Sequence, residues 1–129
     1  FKSILPYIKE PLLDRAVKRI TVCGYSHGGA LALLCHEYIW YTRVDLRNSI
    51  AGYGFGCPRV VWGRVKNEKQ RWRNFYVIRN IDDIVTHVPP AIFGYMHKGN
   101  LIEIGNGDKN GIDAHRAENY IATLSRLGT

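Results

Sequence analysis

Two spacings of apolar residues alternate along the chain, and they divide it into strands and helices. Ile8, Leu12, Leu13, Ala16 and Val17 recur at helical spacing, which predicts a short amphipathic helix over 8–17, with Pro11 tolerable only near a first turn. Ile20-Thr21-Val22-Cys23 predicts a strand with apolar character on both faces, as in a strand covered on two sides. Residues 28–41 read as a helix whose first half is apolar nearly all round and therefore buried. "SIAGYGFG" (49–56) predicts a second buried strand, whose glycines permit close backbone approach. The run "CPRVVWGRVKNEKQ" then leaves the sheet, and "NFYVIRN" (74–80) returns as a third strand. A long connection, "IDDIVTHVPPAIFGYMHKG", leads to a fourth strand in "NLIEIG" (100–105); a turn, "NGDKNGID", precedes a closing helix over 115–127.

Strands alternating with helices predict an α/β fold with a mainly parallel sheet of about four strands, flanked by helices and wound by right-handed crossovers. No repeat, low-complexity tract or linker interrupts it, so residues 1–129 read as a single domain. The strand from Lys18 to Cys23 looks central, yet no earlier strand stands in the sequence to cover its other edge. The expectation is that this chain forms the C-terminal part of a larger domain.

Composition narrows the classes. Of 129 residues, 46% are hydrophobic and 22% charged, the profile of one soluble globular domain with room for a sizeable core. The longest apolar run is broken by His36 and Glu37, which argues against a spanning helix. The opening "FKSILPYIKEPLLDR" shows no targeting signal. Cys23, Cys35 and Cys57 form no CxxC and leave one over in any pairing. Reduced, structural thiols are expected, with Cys23 and Cys35 as small buried hydrophobes; free thiols lean towards the cytoplasm, with the compartment left open. A net charge of +7 favours anionic partners, an anionic lipid surface among them. The densest basic segment, Lys66, Lys69, Arg71 and Arg73, includes Glu68 and reads as a solvated helix or loop in preference to an anion site. Nucleic-acid binding would rest on charge alone, since no zinc spacing, RRM signature or basic heptad accompanies it, and no nucleic-acid partner is expected.

The chemistry is carried by Gly24-Tyr25-Ser26-His27-Gly28, which falls where the strand pattern gives way to the helix pattern. Between a strand and a helix, Gly-x-Ser-x-Gly forms a nucleophile elbow: the serine sits in a strained turn and its hydroxyl is pushed out at the carboxyl edge of the sheet. A bare GxSxG is weak, because glycine and serine are common in ordinary turns, but here both flanks meet its structural condition. An unassisted hydroxyl is a poor nucleophile, so a base must take its proton and a carboxylate should orient that base. Asp82 and Asp83 follow the third strand, and His115 opens the last helix, which gives the order serine, acid, histidine on one sheet edge. Asp83 is preferred as the acid, because Ile84-Val85 would anchor it, while Asp82 faces solvent or caps the loop. Among the histidines, His27 adjoins the nucleophile, His36 lies in the apolar helix, and His87 and His97 sit in the long connection. His115 alone both follows the acid and occupies a loop-to-helix junction at that edge. The backbone N–H of His27 is the candidate oxyanion donor. No metal and no cofactor is expected.

Five ordered stretches resemble the class 3 lipases, the fungal-type family of the α/β-hydrolase fold. "ITVCGYSHGGALA" is similar to that family's strand, elbow and helix, "GYGFGCPRV" to its following strand, and "RNIDDIVTHVPP" to its acid segment. "AIFGYMHKGNLIEIG" and "GIDAHRAENYI" resemble the stretches that lead to its last strand and carry its catalytic histidine. The resemblance implies a serine carboxylic-ester hydrolase of lipase type acting on acylglycerols or related lipid esters. Ser26 would be its nucleophile, Asp83 its acid and His115 its base, with His87 and His97 as framework residues. The family usually has His where Tyr25 stands and Leu where His27 stands, which predicts a more polar pocket mouth. The family's front strands, lid helix and first oxyanion loop have no counterpart in this sequence. The competing reading is a non-catalytic module that binds a lipid surface or anions through its basic residues.

Overall fold

The computed structural model describes residues 1–108 and 110–128. In chain order it forms α1 (Leu5–Leu13), β1 (Ile20–Tyr25), α2 (His27–Thr42), β2 (Ile50–Phe55), β3 (Val61–Trp62), α3 (Glu68–Arg71), β4 (Phe75–Asn80), β5 (Tyr95–Met96), β6 (Asn100–Ile104), α4 (Gly111–Ala114) and α5 (Ala117–Leu127). Four strands make one sheet in the order β1-β2-β4-β6, every pair parallel, as the alternation of strand and helix patterns requires. β3 and β5 form a separate antiparallel ribbon, two residues on each side, that the sequence pattern is too short to reveal.

Helices pack on both faces of the sheet. On one face Ala32 and Leu33 of α2 meet Phe75 and Val77 of β4, with Cys57 and Trp72 filling the layer. α1 extends that layer by setting Leu12 against Ile39 and Ile50. On the other face Tyr120 of α5 packs on Ile78 and Ile104, joined by Phe55, Tyr76 and Leu124. Val77 and Ile78 are adjacent and point to opposite faces, so a run apolar at both positions needs cover on both.

Three expectations change. α1 begins at Leu5, because Pro6 occupies the opening turn, and Pro11 is carried inside it near the end. β1, which has no neighbour at its outer edge among the described residues, as the sequence implied, is covered on one face and not on two: its Ile20 and Val22 side lies towards α2, and Thr21, Cys23 and Tyr25 are exposed. Cys23 is therefore an exposed thiol and not a buried hydrophobe, whereas Cys57 is buried and its pKa is pushed up to about 11 by desolvation. The closing helix starts at Ala117, two residues later than expected, and a separate short helix, α4, forms over Gly111–Ala114, the first three of which belonged to the expected turn; Lys109 of that turn lies outside the described residues.

Lys66 and Lys69 of the basic segment are exposed, whereas Arg71 and Arg73 are tied into the fold. Arg71 is buried, ion-paired with Glu37, and its guanidinium lies 5.0 Å from the Tyr41 ring centroid. Glu68 accepts from the buried Lys98 at 2.6 Å, and Arg73 donates to Asn48 at 2.8 Å. Arg43, 2% exposed, donates to the carbonyls of Leu12, Asp14 and Val17 and so satisfies main-chain groups at and beyond the end of α1. Among the described residues no helix is long and apolar enough to cross a membrane.

Candidate active site

Parallel pairing carries the C-terminal ends of all four strands to one edge, and main-chain bonds continue past the strands themselves. Ser26 N–H donates to Phe55 O at 2.8 Å, Gly56 N–H to Ile78 O at 2.9 Å, and Ile81 N–H to Ile104 O at 2.9 Å. The turn after β1 and the loop after β4 are thereby fixed relative to each other before any side chain is considered.

Ser26 occupies the turn between β1 and α2 with φ 55° and ψ −125°, a conformation costly for a residue with a Cβ and held only by its surroundings. Gly24 allows the tight return: a Cβ there would stand 2.1 Å from Gly28 O and 2.7 Å from Gly29 N, both main-chain atoms that cannot move aside. The serine's Oγ consequently projects to the edge, where it lies 2.9 Å from Nε2 of His115. His27 is the first residue of α2, so its N–H belongs to the opening turn, whose donors have no carbonyl one turn back within the helix.

Asp83 begins the loop after β4. Its main-chain N–H donates to Asn80 O at 3.0 Å, and its Oδ1 accepts from Val85 N–H at 2.9 Å, opening a short 3-10 turn over Ile84–His87. Of the expected anchor Ile84-Val85, Val85 holds the carboxylate through this main-chain capping bond, while the Ile84 side chain is 55% exposed. Asp83 itself is fully buried, and Asp82 is half-buried. Burial of a carboxylate is tolerable only when its oxygens are satisfied. Here Nδ1–H of His115 donates at 3.0 and 2.9 Å to Oδ1 and Oδ2, and the Tyr120 hydroxyl donates to Oδ2 at 2.6 Å. Gly56, at φ 56°, gives this room: a Cβ there would lie 2.9 Å from Asp83 Oδ2.

His115 stands in the corner between α4 and α5. Asn110 caps α4 by accepting from the N–H groups of Ile112 and Asp113, at 3.2 and 3.0 Å. Asn80 Nδ2 donates to Ala114 O at 3.4 Å, joining that short helix to the end of β4. The imidazole thus donates from Nδ1 to the carboxylate, which leaves Nε2 as the acceptor facing the hydroxyl. Ser26, Asp83 and His115 come together as one hydrogen-bonded chain.

Two residues join this chain without a signal in the elbow pattern. Tyr120 accepts from Asn80 N–H at 2.8 Å while donating to Asp83; burial first, and that bond second, raise its pKa, so the phenol keeps its proton. Its position four residues before Leu124 marks it as core, and only its polar tip, five residues after His115, hints at more. Tyr25 donates from its hydroxyl to the main-chain carbonyl of His115 and stacks on the imidazole with centroids 5.2 Å apart. Its pKa is raised by burial and then by the Asp83 and Glu118 carboxylates. The remaining histidines lie elsewhere: His27 is exposed, His36 is buried in α2, and His97 Nε2 lies 2.8 Å from Thr86 O. Among the described residues no group of three or more His, Cys, Asp or Glu side chains is placed to hold a metal ion.

Against known proteins, the family model described as Lipase (class 3) matches residues 2–93. A lipase of Rhizomucor miehei is 34% identical over 90 residues, covering 63% of this chain and 23% of that protein. A secreted mono- and diacylglycerol lipase of Malassezia globosa is 33% identical over 115 residues, 84% of this chain and 34% of that protein. Among solved structures, a triacylglycerol lipase whose catalytic centre is formed by a serine protease triad superposes with a TM-score of 0.60 at 29% identity, over 81% of this chain and 40% of its own. The chain spans about a quarter to a third of the length of the curated relatives it matches.

Proposed function

The chain belongs to the class 3 lipase family, and on that premise we propose that it is a serine carboxylic-ester hydrolase that cleaves acylglycerols or related lipid esters. The observation that carries the reading is the unbroken path from Ser26 Oγ through Nε2 and Nδ1 of His115 to the Asp83 carboxylate.

In the proposed reaction His115 Nε2 takes the hydroxyl proton as Ser26 Oγ adds to the ester carbonyl, and Asp83 supports the imidazolium that results. The N–H of His27 faces the oxyanion of the tetrahedral intermediate. Collapse of that intermediate breaks the carbon–oxygen bond of the leaving alcohol, which receives its proton from Nε2 and leaves an acyl ester on Ser26. Water, deprotonated by the same nitrogen, then adds to the acyl-enzyme and releases the fatty acid. The triad sets the reaction, and the exposed apolar side chains of Ile84, Val88, Ile92 and Phe93 in the segment following Asp83 favour a lipid over a polar ester. The net charge of +7 is consistent with working at an anionic lipid surface.

A fluorophosphonate probe, which reacts with activated serines, tests the reading. Labelling of wild type and none of Ser26→Ala supports it, together with hydrolysis of p-nitrophenyl butyrate by the same wild-type sample. A folded wild type that neither labels nor hydrolyses would favour the non-catalytic, lipid-surface reading.

A further inference from the structure

His115 caps the C-terminal end of α4, its N–H donating to Ile112 O at 3.1 Å, and Asn80 joins that helix to β4; among the described residues no main-chain hydrogen bond joins this corner to β1. The carboxylate of Asp83 holds the imidazole along one edge only, and a ring held at Nδ1 can still tilt and carry Nε2 away from Ser26. Tyr25, the residue immediately before the serine, closes that freedom. Its hydroxyl donates to the His115 carbonyl, its ring lies against the imidazole at an interplanar angle of 21°, and Tyr120 braces it edge-on at 6.1 Å. We propose that Tyr25 is a positioning residue that fastens the base to the nucleophile's own strand, by its hydroxyl to the main chain and by its ring to the imidazole plane. The inference rests on the hydrolase reading above.

The two contacts divide the work. The hydroxyl bond fixes where the corner sits; the stack fixes the plane of the ring, so that Nε2 stays in line with Oγ at 2.9 Å. When the imidazole gains the serine's proton it becomes a cation against an aromatic face, an attraction the neutral ring lacks. The groups that face or adjoin this cation are Asp83, Ser26, Tyr25 and Tyr120, with Glu118 close enough to act on Tyr25.

Tyr25→Phe keeps the ring and loses the hydroxyl bond; Tyr25→Leu loses both. With p-nitrophenyl butyrate, kcat is expected to fall about five-fold in Tyr25→Phe, the loss of one ordinary hydrogen bond, and about 25-fold in Tyr25→Leu, where the ring contact goes as well, with KM within two-fold in each. The second readout is the downfield NMR signal of the His115 Nδ1 proton. It is expected sharp in wild type and in Ser26→Ala, and broadened by exchange in both Tyr25 variants. Should Tyr25→Leu fail to fold, Tyr25→Phe carries the test alone. An active wild type matched by Tyr25→Phe in kcat and in the proton signal would overturn the positioning role. An inert wild type whose proton signal still depends on Tyr25 would sink the hydrolase reading and leave the clamp standing.

Discussion

His36 is 1% exposed on the inner side of α2, edge-on to Phe75 at 5.5 Å, and among the described residues neither ring nitrogen has a hydrogen-bond partner. Desolvation pushes its pKa from 6.5 down to about 4. The unfolded chain therefore binds this proton more readily than the folded one, so the associated stability is complete above about pH 6.5 and is lost as pH falls through 4. At pH 5 the linkage amounts to about 2 kcal/mol, approaching about 3 kcal/mol below pH 4. His36→Leu removes the titrating ring, and with it two buried unsatisfied nitrogens that cost on the order of 1–3 kcal/mol, partly offset by imperfect repacking. Urea unfolding of wild type and His36→Leu at pH 7.5 and pH 5 gives a double difference in which other titrating groups, His97 and His87 among them, cancel. The variant is expected to gain about 2 kcal/mol on wild type between the two pH values, a midpoint shift of about 1–2 M urea. A double difference below about 0.5 kcal/mol would refute the reasoning and mean that the ring is hydrogen-bonded or hydrated in the folded protein.

Asp83→Asn should lower kcat for ester hydrolysis by about four orders of magnitude with melting behaviour retained, because an amide no longer holds the imidazole in the productive tautomer; an equal loss from Asp82→Asn would remove the basis for choosing between them. Tyr120→Phe leaves the Asn80 N–H without its acceptor and takes a donor from Asp83, so chemical denaturation should show a loss of about 1–3 kcal/mol. Gly24→Ala should cost more than about 3 kcal/mol or prevent folding, since the added carbon meets main chain on the far side of the elbow; a variant that melts like wild type would mean the turn can open.

Ser26 was legible because the patterns flanking it change period at that residue, and Asp83 and His115 because their order and strand-end positions leave few ways to complete the chain. What stayed hidden depends on tertiary context. Thr21 and Cys23 carry side chains as suited to a covered face as to an open one, so their alternation with Ile20 and Val22 was not readable until α2 was seen to pack on one side only. Pro6 and Pro11 compete for the same opening turn, and spacing alone chose the wrong one. The break between α4 and α5 spans two residues, below what a periodicity window resolves. Tyr25 and Tyr120 act through hydroxyls that reach across the fold, and a lone tyrosine in an apolar pattern looks the same whether or not its tip has a task.

Ser26 and His115 are separated by 89 positions, and His115 sits beyond β6. Once β6 has left the ribosome the elbow can form, but the imidazole that faces it has not yet been made. On the proposed reading the hydroxyl stays silent until the segment beyond β6 docks, and a cut between Ile104 and His115 would take away the serine's partner without disturbing its own turn.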